Sequence, residues 1–196
     1  MKKNYNRYKT MSEEKYNRRG ITYWLLRKNA DDIIIPYLKQ ISNKKVLEVG
    51  IGYGYYKDYY FQRNHVVGYD VNPQLGEKLG IKVIVGKADE IRDKVNEKFQ
   101  YVMSFFMTEY LEKEALRTFI NDGCKVVEEG GIFLTTIIIN RGWGLLYTML
   151  ANMKGIKKYS YSLKEIKRIC SGKDYRIIPL PSYFGIPVAV MIEIRV

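Results

Sequence analysis

The sequence predicts an α/β domain with a seven-stranded, mostly parallel sheet, helices on both faces and a C-terminal antiparallel hairpin. Short apolar runs alternate with helix-length stretches through most of the 196 residues, and the last two runs are joined by a linker of only seven residues. A parallel connection needs a dozen or more residues, so these last two strands are expected to pair antiparallel. The length corresponds to one α/β domain.

The elements follow the pattern in order. Residues 23–38 have apolar positions at helical spacing and predict one or two helices with a bend near Pro36. The stretch 113–127 predicts another helix with one apolar face. Buried parallel strands are predicted at 45–49, 66–70, 82–85, 101–105 and 131–138, and the hairpin strands at 175–180 and 188–196.

Composition indicates a globular protein, because 46% of the residues are hydrophobic and 28% are charged. Disordered, coiled-coil and disulfide-rich classes are excluded. No apolar run approaches the length of a membrane span, and residues 1–9 are polar and basic, so we expect a cytoplasmic protein. Cys124 and Cys170 lack metal or redox spacing, and with His65 as the single histidine no metal site is expected.

The net charge of +12 is distributed unevenly along the chain. Residues 1–45 carry twelve Lys or Arg against four Asp or Glu, and residues 141–176 carry nine against two. Residues 46–140 carry eleven against fourteen. One explanation of the uneven charge is a lysine-rich composition, but this does not account for the acidic centre. The other explanation is that the basic flanks have a function.

The strongest motif is the segment VLEVGIGYG, in which a predicted strand runs into Gly50, Gly52 and Gly54. Such glycines let a ligand approach the backbone at the carboxyl end of a sheet, although they can also serve packing alone. Tyr55 stands where a dinucleotide fingerprint has its third glycine. Glu48, two residues before the first glycine, would repel a pyrophosphate and attract an ammonium group.

With four further segments in order, this motif resembles the class I S-adenosylmethionine-dependent methyltransferases over about residues 45–196. The other segments are VVGYD, GKADEI, FQYVMSFF followed by EYL, and EGG before the fifth strand. The resemblance implies a Rossmann-like fold, S-adenosylmethionine as cofactor and S-adenosylhomocysteine as product. It also implies cofactor contacts for Glu48, Gly50, Ile51, Gly52, Gly54, Asp70, Val71, Ala88, Asp89, Ser104 and Phe105.

Several of these assignments have structural alternatives. Asp70 is expected to hold the ribose hydroxyls, or else to cap the following helix. Lys87 stands where the family usually has an acid, so adenine recognition falls to backbone groups or to Asp89, which could equally be solvated. The fourth strand is followed by Phe105, Phe106 and Met107, which are expected in the core or in the pocket. The Pro-Pro-aromatic sequence that N6-adenine methylases have at this point is not present.

Methyl transfer requires chiefly that the acceptor be positioned and water excluded. Glu109 and Tyr110 are candidate proton acceptors by analogy of position, with structural roles on the surface of a helix start as the alternative. Among resembling enzymes, the N-terminal segment and the insert before the last helix select the substrate. We therefore expect residues 1–44, including the arm around Arg18 and Arg19, to form a cap, and the insert 141–160 to form a lid on the domain 45–196.

The insert predicts an apolar helix face followed by a cationic rim. This pattern suits a small, lipid-like acceptor that is anionic or amphiphilic, with contact at a membrane surface; the apolar face could instead dock on the core. An RNA or protein methyltransferase using the basic flanks is the alternative, and an inactive homologue is a third. The apolar face comprises Trp143, Leu146, Tyr147, Leu150 and Met153, and the rim Lys154, Lys157 and Lys158.

Overall fold

The computed structural model describes residues 28–181 and 185–196. The expected arm at Arg18 and Arg19 lies outside these residues. The helices are α1 (Lys28–Gln40), α2 (Lys57–Tyr60), α3 (Leu75–Leu79), α4 (Ile91–Lys94), α5 (Lys113–Lys125), α6 (Gly142–Met153) and α7 (Leu163–Ile169). The strands are β1 (Lys45–Val49), β2 (His65–Asp70), β3 (Val83–Val85), β4 (Phe99–Ser104), β5 (Val127–Ile138), β6 (Asp174–Pro181) and β7 (Pro187–Arg195). Short 3-10 turns span Phe61–Arg63, Ala88–Glu90 and Thr108–Tyr110.

The described residues form a seven-stranded sheet in the order β3-β2-β1-β4-β5-β7-β6. Strands β1 to β5 pair in parallel, and β7 lies antiparallel between β5 and β6. The predicted fold class, including the antiparallel hairpin, is confirmed. Strand order reverses between β1 and β4, so the carboxyl ends of these two strands border a crevice where α/β proteins bind ligands.

Helices cover both faces of the sheet. On one face, α1 and α2 pack through Ala30, Ile34 and Tyr60 against residues such as Met103 and Leu134. On the other face, α4, α5 and α7 pack against a second apolar layer. Helix α1, which lies within the predicted cap 1–44, belongs to this first layer.

Most predicted elements differ from the observed ones by one or two residues at an end, and two of the differences concern local geometry. Helix α1 continues through the exposed Pro36 to Gln40. Strand β5 begins at Val127, before the predicted turn, and the ladder between β4 and β5 shifts register at this point. A positive φ of 74° at Gly130 accommodates the irregularity within the strand.

Among the described helices, none combines the length and apolar character that crossing a bilayer requires. Cys124 and Cys170 are thiols, and burial raises the pKa of each to about 11.

Candidate cofactor site

The glycine turn after β1 uses its own amide groups to bind the neighbouring strand. Gly50 N donates to the carbonyl of Tyr69 at 2.7 Å, and Gly52 N donates to Oδ2 of Asp70 at 3.0 Å. Gly54 N is likewise bonded within the turn, to the carbonyl of Ile51. A phosphate-binding loop needs such N–H groups directed at the ligand. These three amides are already bonded, so the turn is a poor phosphate cradle.

The three glycines have different surroundings. All have positive φ, between 52° and 70°, which side-chain-bearing residues adopt with strain. A Cβ at Gly50 would overlap Met107, and one at Gly54 would lie 2.9 Å from Cδ2 of Leu79. Gly54 therefore allows the turn to pack under α3, and Gly50 allows the loop after β4 to close over the turn.

Asp70 lies at the carboxyl end of β2 and connects two segments. Its Oδ2 accepts from Gly52, and its Oδ1 accepts from the backbone N–H of Asn72 at 3.0 Å. Burial raises the pKa of Asp70, and the hydrogen bonds from the Gly52 and Asn72 amides oppose that shift. These bonds cap the turn before α3, and a carboxylate has additional lone pairs for hydroxyl groups.

Glu48 is buried on the face of β1 that packs against α2. Its Oε2 accepts a hydrogen bond from the hydroxyl of Tyr60. Burial and the nearby Glu48 carboxylate raise the pKa of Tyr60 well above its ordinary value, so the phenol stays protonated and donates. Asp70 and Glu48 therefore place two carboxyl groups on the strands around the glycine turn.

A further carboxylate reaches this region from α1. Asp31 is buried and accepts hydrogen bonds from the hydroxyls of Tyr55 at 2.6 Å and Tyr56 at 2.8 Å. The Tyr56 ring also meets Phe105 edge-on, with centroids 5.0 Å apart. Asp31 and both tyrosines were not among the site residues predicted from the sequence. The tyrosine-rich run after the third glycine was the available signal.

The loop after β4 is held in an unusual conformation. Phe106 has φ of 52°, a rare value for a bulky residue. Its N–H donates to Oγ1 of Thr136 at 2.6 Å, and the hydroxyl of Thr108 donates to the Thr136 carbonyl at 2.6 Å. Backbone outliers of this kind concentrate at functional sites. Phe105 and Phe106 are buried in the core, and Ser104 is completely buried.

The remaining predicted cofactor residues lie around the ends of β1 to β3. Ile51 is buried against Gly68, whereas Val71 follows Asp70 with 64% of its surface exposed. Ala88 is buried and Asp89 is exposed, both in the turn before α4. The exposed apolar Val71 leaves a surface beside Asp70 that a flat ring could cover.

Solved structures with a similar fold include methyltransferases. Over 98% of both chains, the protein matches an S-adenosylmethionine-dependent methyltransferase from Clostridium acetobutylicum with a TM-score of 0.67 and 12% identity. It also matches the N-methyltransferase NodS from Bradyrhizobium japonicum, bound to S-adenosylhomocysteine, with a TM-score of 0.66 and 13% identity over 95% of this chain and 96% of that one.

The chain has the class I methyltransferase fold. Magnesium protoporphyrin IX methyltransferase from Synechocystis shares it at a TM-score of 0.62 and 14% identity, over 84% of this chain and 80% of that one. Neither a family model nor a curated protein matches the sequence. At these identities the likeness concerns the fold.

On this methyltransferase fold, Glu109 is not the surface group that one reading of the sequence expected. It is buried beside Lys158, whose Nζ donates to Glu109 Oε1 and to the hydroxyl of Tyr147. Tyr147 also donates to Glu109 Oε1 at 2.9 Å. Tyr110 is half-buried, with its ring centroid 4.8 Å from the Lys158 ammonium. These residues fasten α6 to the loop after β4.

The predicted cationic rim is therefore wrong at Lys158. Asn152, near the end of α6, binds the Lys158 backbone at both N and O, which turns the lysine inward. Lys157 and Lys154 are exposed, as predicted, and Lys157 pairs with Glu112 at 2.6 Å.

Of the two orientations that the sequence left open for the apolar face of α6, the structure has Leu146, Leu150 and Met153 exposed and not docked on the core. Trp143 and Tyr147 lie half-buried at the border of this face. Small side chains face the core, because a Cβ at Gly144 would overlap the Ile139 carbonyl of the strand end beneath. The exposed positions are Leu145, Leu146, Met149, Leu150 and Met153.

Proposed function

We propose that this protein transfers a methyl group from S-adenosylmethionine to a small-molecule acceptor. The observation that carries the proposal is the chemistry of the glycine turn. The amides of Gly50 and Gly52 bind β2, while the carboxylates of Glu48 and Asp70 flank the turn. A site with acceptors in place of amide donors fits a ligand with an ammonium group and hydroxyls better than a phosphate.

In this proposal each carboxylate binds a different part of the cofactor. Glu48 attracts the amino group, and Asp70, already fixed by Gly52 and Asn72, accepts from the ribose hydroxyls. The adenine ring lies by Val71 and the turn that contains Ala88 and Asp89, close to the ends of β2 and β3. Ser104 contributes through its backbone, because its side chain is buried.

When bound, the cofactor supplies an electrophilic methyl group on a sulfonium ion. The chain's own residues position the acceptor and exclude water. The loop after β4 contributes apolar side chains that suit this role: Phe105 and Phe106 are buried in the layer on one face of the sheet, and Met107 packs against the layer on the other. Glu109 is engaged by Lys158 and Tyr147, which favours a role in holding α6 over one in proton transfer.

The proposed acceptor is small and either anionic or amphiphilic, and the proposed location is the cytoplasm. The basic segments of residues 1–45 and 141–176 support an anionic acceptor, and the apolar α6 supports an amphiphilic one. Residues 1–44 and 141–160 are proposed to serve as cap and lid. Binding of RNA through the same charges would fall steeply with salt, whereas a small acceptor releases few counterions and gives a shallow slope.

Calorimetry with different adenosine-containing ligands tests the cofactor assignment. S-adenosylmethionine and S-adenosylhomocysteine are expected to bind one molecule per chain, and NAD and ATP are expected to show no binding, because their phosphates would meet carboxylates. Saturable binding of NAD or ATP, with none for the two adenosyl compounds, would reverse the assignment.

A further inference from the structure

Helix α6 presents five large apolar side chains to solvent. Gly144, Thr148 and Ala151 face inward and are buried. Outward-facing apolar residues recur at helical spacing over about two and a half turns, which makes a continuous stripe. Their exposed fractions are 40% for Leu145, 40% for Leu146, 53% for Met149, 46% for Leu150 and 82% for Met153.

Cations stand at both ends of this apolar stripe. Arg141 is the N-cap residue of α6 and Lys154 is the C-cap residue, and both are exposed. An apolar helix face bordered by Lys and Arg is the pattern of helices that lie in the interface of an anionic bilayer.

We propose that α6 docks this protein on an anionic membrane surface, with the stripe inserted between lipid headgroups and Arg141 and Lys154 against lipid phosphates. The inference goes beyond methyl transfer, because docking needs neither cofactor nor acceptor. Twelve residues of helix extend about 18 Å, which suits an orientation parallel to the membrane plane.

The charges favour a lipid surface over other occupants. A second copy would bring another Arg141 and Lys154 to the same stripe, and each chain carries a net charge of +12. The segment 1–27 carries eight Lys or Arg against two Glu, so it too would bring cations to cations. An anionic membrane complements both the charge and the apolar surface.

The stripe lies at the same edge of the sheet as the candidate cofactor site. Gly144 packs on the end of β5, and a Cβ at Gly142 would lie 2.9 Å from Cγ2 of Ile186, itself 45% exposed. Docking through α6 would therefore hold this edge of the sheet towards the lipid.

Vesicle sedimentation with the full chain tests the docking. Wild-type protein should sediment with vesicles of equal phosphatidylcholine and phosphatidylglycerol and much less with phosphatidylcholine alone. The double variant Leu146→Gln/Leu150→Gln should partition at least about tenfold more weakly, because two apolar side chains no longer enter the bilayer. Arg141→Gln/Lys154→Gln should lose about tenfold on the anionic vesicles.

Val196→Gln is the matched control. Val196 is 42% exposed at the opposite edge of the sheet, beside Gly130, and its replacement should leave partitioning unchanged. Wild-type protein that stays in solution with anionic vesicles would overturn the proposal, as would unchanged partitioning of the Leu146 and Leu150 variant. A dimer in ultracentrifugation that this variant dissociates, without vesicle binding, would assign the stripe to a second copy. Cofactor binding is measured separately, so methyl transfer and docking can fail independently.

Discussion

The neighbouring residues Thr135 and Thr136 on β5 are both buried, but their hydroxyl groups differ in hydrogen bonding. Within the part of the chain that the structure describes, the hydroxyls of Thr135 and of its ladder partner Ser104 are buried without a hydrogen-bond partner. The hydroxyl of Thr136 accepts from the strained Phe106. Replacing each threonine by valine in a separate variant therefore tests whether the hydrogen bond from Phe106 to Thr136 holds the loop after β4.

Thr136→Val should lower the free energy of unfolding by about 1 to 3 kcal/mol, because it leaves the buried N–H of Phe106 without its acceptor. Thr135→Val should be neutral or stabilising by up to about 1 kcal/mol, since it removes an unsatisfied hydroxyl. Urea unfolding of the two variants measures both changes. Equal losses in the two variants would contradict the assigned role of Thr136.

The site residues that the sequence revealed are those whose backbone position defines their role. Glu48 is the next-to-last residue of β1, two residues before Gly50, and Asp70 is the last residue of β2, so the motifs located both. Asp31 and Lys158 could not be placed in the same way, because their partners are distant in sequence and depend on helix packing. Asp31 meets Tyr55 and Tyr56 across the gap between α1 and the turn, and no local spacing encodes that contact.

At the element scale, α6 is fastened by a buried ion pair. The side chains of Lys158 and Glu109 are 0% and 1% exposed, so the charge of each is stabilised by the other and not by water. Lys158→Met should destabilise the protein by about 3 kcal/mol, because Glu109 loses the ammonium beside it. Adding Glu109→Gln should restore part of that loss.

Lys157→Met is the control for this prediction. It removes the same charge one residue earlier, from an exposed pair with Glu112, and surface pairs contribute little. Thermal unfolding of the variants gives the comparison. Similar melting temperatures for Lys157→Met and Lys158→Met would show that the buried pair does not fasten α6.

Helix α7 begins with a capping box that gives a pH dependence. The backbone N–H and the hydroxyl of Ser162 donate to the Glu165 carboxylate, and Nζ of Lys113 lies 3.1 Å from Glu165 Oε1. These contacts lower the pKa of Glu165 from 4.5 to about 2. A lowered folded-state pKa contributes stability above pH 4.5 that is lost as the pH falls towards 2.

Glu165→Gln should therefore melt at a lower temperature than wild type at pH 6, and the gap should narrow by pH 3. Melting curves at the two pH values measure this change. Glu114→Gln, which removes a carboxylate that is 75% exposed in its pair with Arg117, should show little gap at either pH. A gap for Glu165→Gln that is the same at pH 6 and pH 3 would contradict the capping account.

At the scale of the whole molecule, the fold was predictable because its determinants are local. Buried parallel strands read as short apolar runs, and the short linker between the last two strands dictated their antiparallel pairing. The orientation of α6 was not predictable from its sequence. Apolar residues occur around most of that helix, and only packing selected the small Gly144, Thr148 and Ala151 for the inner face.

We propose that carboxylates around the glycine turn bind S-adenosylmethionine, and calorimetry on Asp70→Ala is the decisive experiment. Wild-type protein should bind S-adenosylhomocysteine with one site per chain. The variant should bind about ten to a hundred times more weakly, because hydrogen bonds to a charged group contribute roughly 1.5 to 3 kcal/mol.

Asp174→Ala, which removes the same charge at the exposed start of β6, should bind like wild type. Its melting temperature and that of Asp70→Ala distinguish loss of binding from loss of fold. We expect weakened binding of S-adenosylhomocysteine by an Asp70→Ala protein that remains folded. Absence of binding by the wild type, or less than a twofold change in the variant, would contradict it.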